Sequence, residues 1–269
     1  MSDANPAAFT GSIPEFYDRC LGPVIFSGYA ADLARRVAAR APGRVLETAA
    51  GTGILTRRLR DEKGGAMRIT ATDLNPPMLE AARAKFGPDE GVTFTAADAL
   101  NLPFADDSFD AVACQFGVMF YPDKEQSYRE ARRVLAPGGH YAFSVWDSHR
   151  YNEFAKVAFE TVAGFFPADP PQFHKAPFVC HEIDPVKEGL IDAGFTDVRI
   201  TVLRTEKLLA DVAAFARGMI LGTPIVDQIR SRDESLAERI IEALTAAYCG
   251  RLGAAGRPIR MQAVVFEAA

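Results

Sequence analysis

Between residues 44 and 146 of this 269-residue chain, short apolar runs alternate with amphipathic helical stretches, and nothing else in the sequence limits the fold as tightly. Strands that recur at helix-length intervals demand a parallel sheet with crossover helices packed on its faces. Arg44–Thr48 reads as a first strand and Ile54–Arg60 as the helix after it. Arg68–Asp73 is a second strand, followed by a helix over Met78–Phe86. Val92–Thr95 is a third strand, and Phe109–Phe116 a fourth with the continuous apolar run of a buried strand. Asp123-Lys124-Glu125-Gln126 opens a helix as a capping box, Ala136-Pro137-Gly138-Gly139 closes it, and Tyr141–Trp146 is the fifth strand.

Three regions fall outside this rhythm. Residues up to about 40 carry a helix start at Ser12-Ile13-Pro14-Glu15 and an amphipathic helix over Ala30–Ala39. Residues 150–180 are rich in Phe and Pro, with Phe154, Phe159, Phe165, Phe166, Phe173 and Phe178. Residues 208–250 read as two or three helices, the last being Glu234–Tyr248. Asp197–Leu203 and Arg260–Phe266 alternate well enough to be two more strands, pairing as an antiparallel edge. The expected architecture is α/β: a seven-stranded, mostly parallel sheet with an antiparallel last strand and helical insertions over one end.

Composition removes several classes of protein. With 48% hydrophobic and 24% charged residues the chain belongs with soluble globular proteins. Thirty Lys+Arg against 35 Asp+Glu leave a formal charge of −5, which disfavours a dedicated nucleic-acid binder. No basic n-region with an apolar stretch opens the sequence, and no run approaches the length of a membrane span. Cys20, Cys114, Cys180 and Cys249 are scattered without Cys-x-x-Cys spacing, so no metal site is expected and a reduced, cytoplasmic setting fits.

The most informative stretch is Val45-Leu46-Glu47-Thr48-Ala49-Ala50-Gly51-Thr52-Gly53-Ile54-Leu55. A strand runs into a glycine-containing turn that opens a helix, which is where α/β folds bind nucleotides. Gly51 and Gly53 let the backbone approach a ligand and offer free N–H groups at the helix start. Asp73 ends the second strand, placed to accept both hydroxyls of a ribose. Asp98 follows the third strand, where a carboxylate accepts from an adenine amino group. Each alone reads equally as a tight turn or an ordinary capping aspartate; together they mark the ends of three successive strands.

In that order and spacing, Glu47-x-Ala49-x-Gly51-x-Gly53, Asp73, Ala97-Asp98-Ala99 with Leu102-Pro103-Phe104, Ser108-Phe109-Asp110 and Leu135-Ala136-Pro137-Gly138-Gly139 form one set. The set resembles the class I S-adenosylmethionine-dependent methyltransferases, in the branch of the ubiquinone/menaquinone-biosynthesis type and many small-molecule enzymes. The resemblance covers roughly residues 43–147 and implies a doubly wound, Rossmann-like sheet. One departure stands out: the family usually has Gly where this chain has Ala49, and a methyl there is tolerated if φ stays negative.

The resemblance also implies roles. Glu47 orients the loop or the methionyl amino group, while Ala49, Gly51, Thr52 and Gly53 line the methionine part with backbone atoms. Asp73 holds the ribose, Leu74 and Met78 sandwich the adenine, and Asp98 with the Ala99 N–H reads its edge. Gln115 lies beside the sulfonium, and Tyr17 closes over the methionine end as an aromatic lid. The implied organisation is a helical lid (1–40), an S-adenosylmethionine-binding core (41–149), a Phe/Pro-rich cap insertion (150–180), the sixth strand (181–207), a helical cap insertion (208–257) and the last strand (258–269). S-adenosylhomocysteine would be the product, no metal is required, and the acceptor expected is a small, apolar or aromatic molecule.

Rival readings stay open at this point. A nicotinamide-dependent oxidoreductase would want a third glycine near Thr56, and no tyrosine has Lys four residues on. Asn75-Pro76-Pro77-Met78 is similar to the amine-gripping box of some nucleic-acid methyltransferases, but it follows strand two and reads as a helix start. A protein that binds the cofactor without transferring a methyl group would carry the same residues. Of the four histidines, His140 begins the fifth strand at the end remote from the cofactor. His149 follows that strand at the ligand edge and is the candidate base, with a surface-loop histidine as its alternative. His174 and His181 flank the Phe/Pro insertion and are also within reach of the pocket. The sequence names neither the acceptor atom nor the oligomeric state.

Overall fold

In the computed structural model, residues 7–62, 67–252 and 258–269 are described. The first six residues of the 1–40 lid and the last five of the 208–257 insertion lie outside them. The chain opens with α1 (Ile13–Phe16), which continues through a π-helical stretch at Tyr17–Phe26 into α2 (Ser27–Ala39). Then come β1 (Arg44–Glu47), α3 (Ile54–Asp61), β2 (Arg68–Asp73), α4 (Pro76–Arg83), β3 (Val92–Ala96), β4 (Phe109–Gln115), α5 (Lys124–Val134) and β5 (Leu135–Trp146). The second half holds α6 (Glu153–Phe165), α7 (Ile183–Asp192), β6 (Val198–Leu208), α8 (Val212–Leu221), α9 (Ile225–Arg230), α10 (Leu236–Arg251) and β7 (Pro258–Ala268).

The seven strands form one sheet in the order β3-β2-β1-β4-β5-β7-β6, with β7 antiparallel to both neighbours. The order reverses direction between β1 and β4, and the crevice at that switch point is where an open α/β sheet binds ligands. Residues of β4 alternate between two cores. Val112 and Cys114 join one cluster, while Ala111 and Ala113 face the other, with Leu33 and Val37 of α2 and Leu55 and Leu59 of α3. Each fully buried Leu or Val contributes about 1.5–3 kcal/mol, so α2 is a fixed post from which the lid segment hangs.

Local chemistry explains most element ends. Asp123 caps α5 by accepting from the Gln126 N–H at 2.8 Å, the expected helix start. Pro76 and Pro77 occupy the first turn of α4, where a missing N–H costs nothing. That helix begins earlier and ends earlier than the expected 78–86. The expected breaker Ala136–Gly139 also behaves differently. The helix stops at Val134 and the strand starts at Leu135. Phe109 pairs with Leu135 and Ala111 with His140, so the Pro-Gly-Gly run is absorbed as a bulge, with Gly138 at φ +79°.

The lid also departs from expectation. Two separate helices were readable, but the backbone is helical from Ile13 to Ala39, and Pro23 sits inside a π stretch in which the Ser27 N–H donates to the Gly22 carbonyl. A proline cannot donate into an α-ladder, and widened turns are one way to carry it. The Phe/Pro insertion forms α6 and a short 3-10 turn at Phe173–Phe178, and the 208–250 region forms three helices. Among the described residues, no helix is long and apolar enough to cross a membrane, and no group of three or more His, Cys, Asp or Glu could hold a metal ion.

Candidate active site

The loop after β1 turns twice through the left-handed region. Gly51 has φ +57° and Gly53, which opens α3, has φ +79°. A Cβ at Gly53 would stand 3.0 Å from the Ala82 Cβ, so this glycine seats α3 against α4. Ala49 also has a positive φ, +51°, which overturns the expectation that its φ stays negative. An alanine in that conformation costs about 1–2 kcal/mol. Its methyl has a specific neighbour: a Cβ on Gly117 would lie only 2.4 Å from the Ala49 Cβ. The two loops leaving β1 and β4 therefore meet across a glycine.

Asp73 ties this loop to the end of β2. Its Oδ2 accepts from the Gly51 N–H at 2.9 Å, and Oδ1 accepts from the Asn75 N–H at 2.8 Å. Burial raises its pKa, and these hydrogen bonds offset part of the rise. Glu47 is more deeply buried, 1% exposed, and its Oε2 has no hydrogen-bond partner. Burial pushes the Glu47 carboxyl up to about 8; Thr56 lowers it in part, and the charge of Asp73 adds to the rise. A buried carboxyl of this kind is costly in its charged form unless a cation or a donor meets it. Asp98 is exposed and turns one oxygen to the Leu100 N–H at 2.9 Å.

These groups surround a cavity of about 520 Å³ at the strand ends. Of the residues expected from the sequence, Tyr17, Ala49, Gly51, Asp73, Leu74, Met78, Asp98, Ala99 and Gln115 line it together. Glu47 and Thr52 lie in a narrow extension under the loop, which Tyr17, Ala49, Gly51 and Gln115 also line. Tyr17 stacks on Phe26, ring centroids 4.7 Å apart. The Gln115 side-chain amide donates to the Phe26 carbonyl at 2.9 Å, so β4 and the lid are joined directly.

Two further clasps hold the lid. Thr52 Oγ1 donates to Asp18 at 2.7 Å, and Lys85 Nζ bonds both Asp18 and the Thr52 carbonyl. Asn75 donates to the Ala7 carbonyl at 2.9 Å and accepts from the Phe9 N–H at 3.2 Å, which links the chain start to the Asp73 corner. From the sequence, Asn75 reads as part of a helix start or of an amine-gripping box, and neither implies these contacts. Nor does the sequence mark Tyr121, whose hydroxyl donates to Thr48 Oγ1 at 3.2 Å beneath the cavity. No local pattern signals either; both act through contacts remote in sequence.

A second, smaller space of about 70 Å³ adjoins the first under the cap. Phe9, Tyr17, Phe116, Met119 and Phe120 line both. Phe154, Phe173 and Phe178 of the Phe-rich insertion close it, together with Trp146 and Met219. Phe165 and Phe166 do not line it; they are partly buried against the main core. The strand-end position does not bring His149 to either space. The loop after β5 carries its ring against Phe178, centroids 4.2 Å apart, and Nε2 donates to the His174 carbonyl at 3.0 Å. His140 lies at the far end of β5, and His181 bonds the Phe178 carbonyl. His174 is the histidine that lines the smaller space.

Comparison with known proteins identifies the family. A family model described as a methyltransferase domain matches residues 46–143. The demethylmenaquinone methyltransferase of Deinococcus radiodurans is 39% identical over 132 residues, 48% of this chain and 54% of that one. The malonyl-acyl-carrier-protein O-methyltransferase of Geobacter sulfurreducens is 30% identical over 216 residues, 80% of this chain and 78% of that one. The chain belongs to the class I S-adenosylmethionine-dependent methyltransferases. It spans about half the length of the demethylmenaquinone methyltransferases it matches. The fold is shared with the YcgJ protein of Bacillus subtilis, at a TM-score of 0.58 and 18% identity over 90% of this chain and 97% of that one.

Proposed function

We propose that this methyltransferase-family chain binds S-adenosylmethionine in the larger cavity and transfers its methyl group to a small, largely apolar molecule held in the smaller one. The observation that carries the reading is the junction: an aromatic chamber adjoins the larger cavity and shares wall residues with it, among them Phe116 and Met119. The larger cavity fits the cofactor by its donor set. The unpartnered Glu47 Oε2 suits a methionyl ammonium, Asp73 suits ribose hydroxyls, and Asp98 with the apolar Leu74 and Met78 suits an adenine. When bound, the cofactor supplies a methyl carbon already activated by its sulfonium.

The chain's own residues then have three tasks. Gly51, Asp73 and Asn75 fix the loop so that binding needs little rearrangement. Tyr17 stands where the two spaces meet, and Gln115, on the wall of the larger one, holds the lid through the Phe26 carbonyl. The aromatic wall excludes water and aligns the acceptor, which supplies most of what an in-line displacement needs from a protein. The relatives' names, a quinone-precursor enzyme and an acyl-carrier enzyme, both support methyl transfer and disagree on the acceptor.

The test is incubation of the purified protein and isotope-labelled S-adenosylmethionine with a fractionated metabolite extract, read by mass spectrometry. Label is expected in an apolar, low-mass fraction. Label only in protein, in nucleic acid, or nowhere would overturn the reading.

A further inference from the structure

The two edges of the sheet differ in kind. β3 is 5 residues long and offers a neighbour little. β6, at the other edge, runs for 11 residues with no proline, and its register with β7 is unbroken by any bulge. Proteins usually blunt such an edge, because a long, regular one is a template for a further strand. Its ladder with β7 fixes which backbone groups are spare. The Asp197 N–H donates to the Ala269 carbonyl at 3.1 Å, and the Ala269 N–H returns a bond to Asp197 at 2.9 Å. Hydrogen-bonded pairs alternate along an antiparallel ladder, so Arg199, Leu203, Thr205 and Lys207 bond β7. Val202, Arg204, Glu206 and Leu208 turn their N–H and C=O groups to the free edge. No described residue bonds to these outward groups.

The side chains along this stretch carry a pattern of their own. Val198 and Ile200 pack against the core, while Arg36 and Tyr29 of α2 bond Thr201 and Thr205 on the opposite face. Further along, Val202 and Leu208 are 45% and 58% exposed, unusual for large apolar groups in a sheet. Arg204 and Glu206 stand between them and are exposed as well. Alternate strand residues share a face, so these four form one stripe in the order apolar, positive, negative, apolar. Turned end for end, that stripe is its own complement.

We propose that β6 is an interface between two copies of this chain, whose edges pair antiparallel about a twofold axis at Thr205 and join the two sheets into one. That register sets Arg204 opposite the partner's Glu206 and Val202 opposite the partner's Leu208, and symmetry repeats each pair. Arg204 and Glu206 both point their backbone groups outward, so the new ladder closes in phase. Neighbouring registers do worse. An axis at Arg204 or at Glu206 sets like charges face to face, and one at Leu203 sets Arg199 opposite Lys207. An axis at Val202 leaves Arg204 and Glu206 opposite the apolar Ile200 and Val198. Like charges directly opposite destabilise a strand pair and opposite ones support it, so the sequence of β6 selects one register.

The experiment is sedimentation velocity of the full chain over a wide range of concentrations, in which the wild type should form a reversible dimer. Glu206→Pro removes an outward N–H that no described residue uses, and proline is tolerated on an edge strand where the N–H faces solvent. It deletes two hydrogen bonds across the axis, so the dimer dissociation constant should rise by about tenfold or more. Arg204→Glu, which sets like charges opposite at two symmetric points, should raise it by a similar factor of about ten. Combining Arg204→Glu with Glu206→Arg exchanges the signs and should bring the constant back to within about threefold of the wild type.

Should Glu206→Pro fail to fold, the charge exchange decides alone, since recovery by a second reversal cannot come from damage to the fold. A wild type that stays monomeric, with the edge bare or taken by another protein's extended segment, would overturn the inference. So would a dimer that ignores Glu206→Pro and Arg204→Glu, or a double variant that associates no better than Arg204→Glu. None of these readouts uses the cofactor or methyl transfer, so the interface stands or falls apart from the proposed function.

Discussion

The loops at the ends of β1 and β2 and the chamber under the cap are the two halves of the proposed site, built by different means. In the first half the groups are held by backbone hydrogen bonds across neighbouring strands: Asp73 to Gly51 and to Asn75, with Ala49 packed against Gly117. In the second half the wall is drawn from the lid, β5, α6, α8 and a 3-10 turn, joined by ring contacts such as Phe9–Phe173 at 6.2 Å and Trp146–Phe154 at 5.8 Å. Hydrogen-bonded loops fix a ligand's position, whereas a wall of rings from separate elements fixes mainly its shape and polarity. The cofactor half should therefore respond sharply to single atoms and the cap half should tolerate volume-conserving exchange.

The largest effect expected is from Asp73→Ala. Two charge-assisted hydrogen bonds at about 1.5–3 kcal/mol each imply a loss of at least two orders of magnitude in S-adenosylhomocysteine affinity. The substitution also frees the Gly51 and Asn75 N–H groups, so stability should fall by about 1–3 kcal/mol as well. Calorimetry beside a denaturant titration checks both; an affinity change below about threefold in the folded variant would break the contrast between the halves.

Next comes Gly117→Ala. The new methyl would meet the Ala49 Cβ at 2.4 Å and the Cys114 Sγ at 2.7 Å, so one loop must move. Overpacking of this kind costs about 1–3 kcal/mol. Adding Ala49→Gly to it should recover part of the loss, a non-additivity that a double-mutant cycle would measure. Strict additivity would show that the two loops do not press on each other.

A pH series sharpens the comparison further. Burial pushes His140, and likewise His174, down to about 4 from an ordinary 6.5. As pH falls below 6.5 the unfolded chain takes up these protons first, so their contribution to stability is whole above 6.5 and is lost between 6.5 and 4. Each is worth up to about 3 kcal/mol at the acid end. Glu47 works in the opposite sense: its raised pKa makes stability fall as pH rises from 4.5 through about 8. His140→Leu isolates one share, since the difference from wild type should be flat above pH 6.5 and shrink below it. A flat difference down to pH 4 would contradict the buried, neutral state of His140.

The smallest effect is Ala49→Gly alone. Removing the strained left-handed alanine should raise stability by about 1 kcal/mol or less, the gain offset in part by the freer unfolded chain. A loss of stability would mean that the methyl's packing outweighs the strain.

The same division explains what could be read from the sequence. The first three strands, read to within a residue of their ends at Glu47, Asp73 and Ala96, the glycine turn and the α5 cap are short-range patterns, whereas the strand order rests on long-range pairing. Legibility failed where a residue acts through distant partners. Ala49 has a positive φ beside the loop after β4, the Pro137-Gly138-Gly139 run is absorbed as a bulge between the Phe109–Leu135 and Ala111–His140 pairs, and Pro23 sits in a π stretch. His149 had the strand-end position and faces Phe178, while His174, in an irregular turn, lines the chamber. Which phenylalanines form the wall depends on how α6 packs, and its sequence gives only the number of them.

Titration calorimetry of the wild-type protein, with S-adenosylhomocysteine in one run and NADH in another, tests the central claim most directly. The cavity built by Glu47, Gly51, Asp73 and Asp98 predicts saturable, one-site binding of S-adenosylhomocysteine, with proton release near pH 7 as the ligand's ammonium ionises Glu47, and no binding of NADH. Binding of NADH without binding of S-adenosylhomocysteine would contradict it.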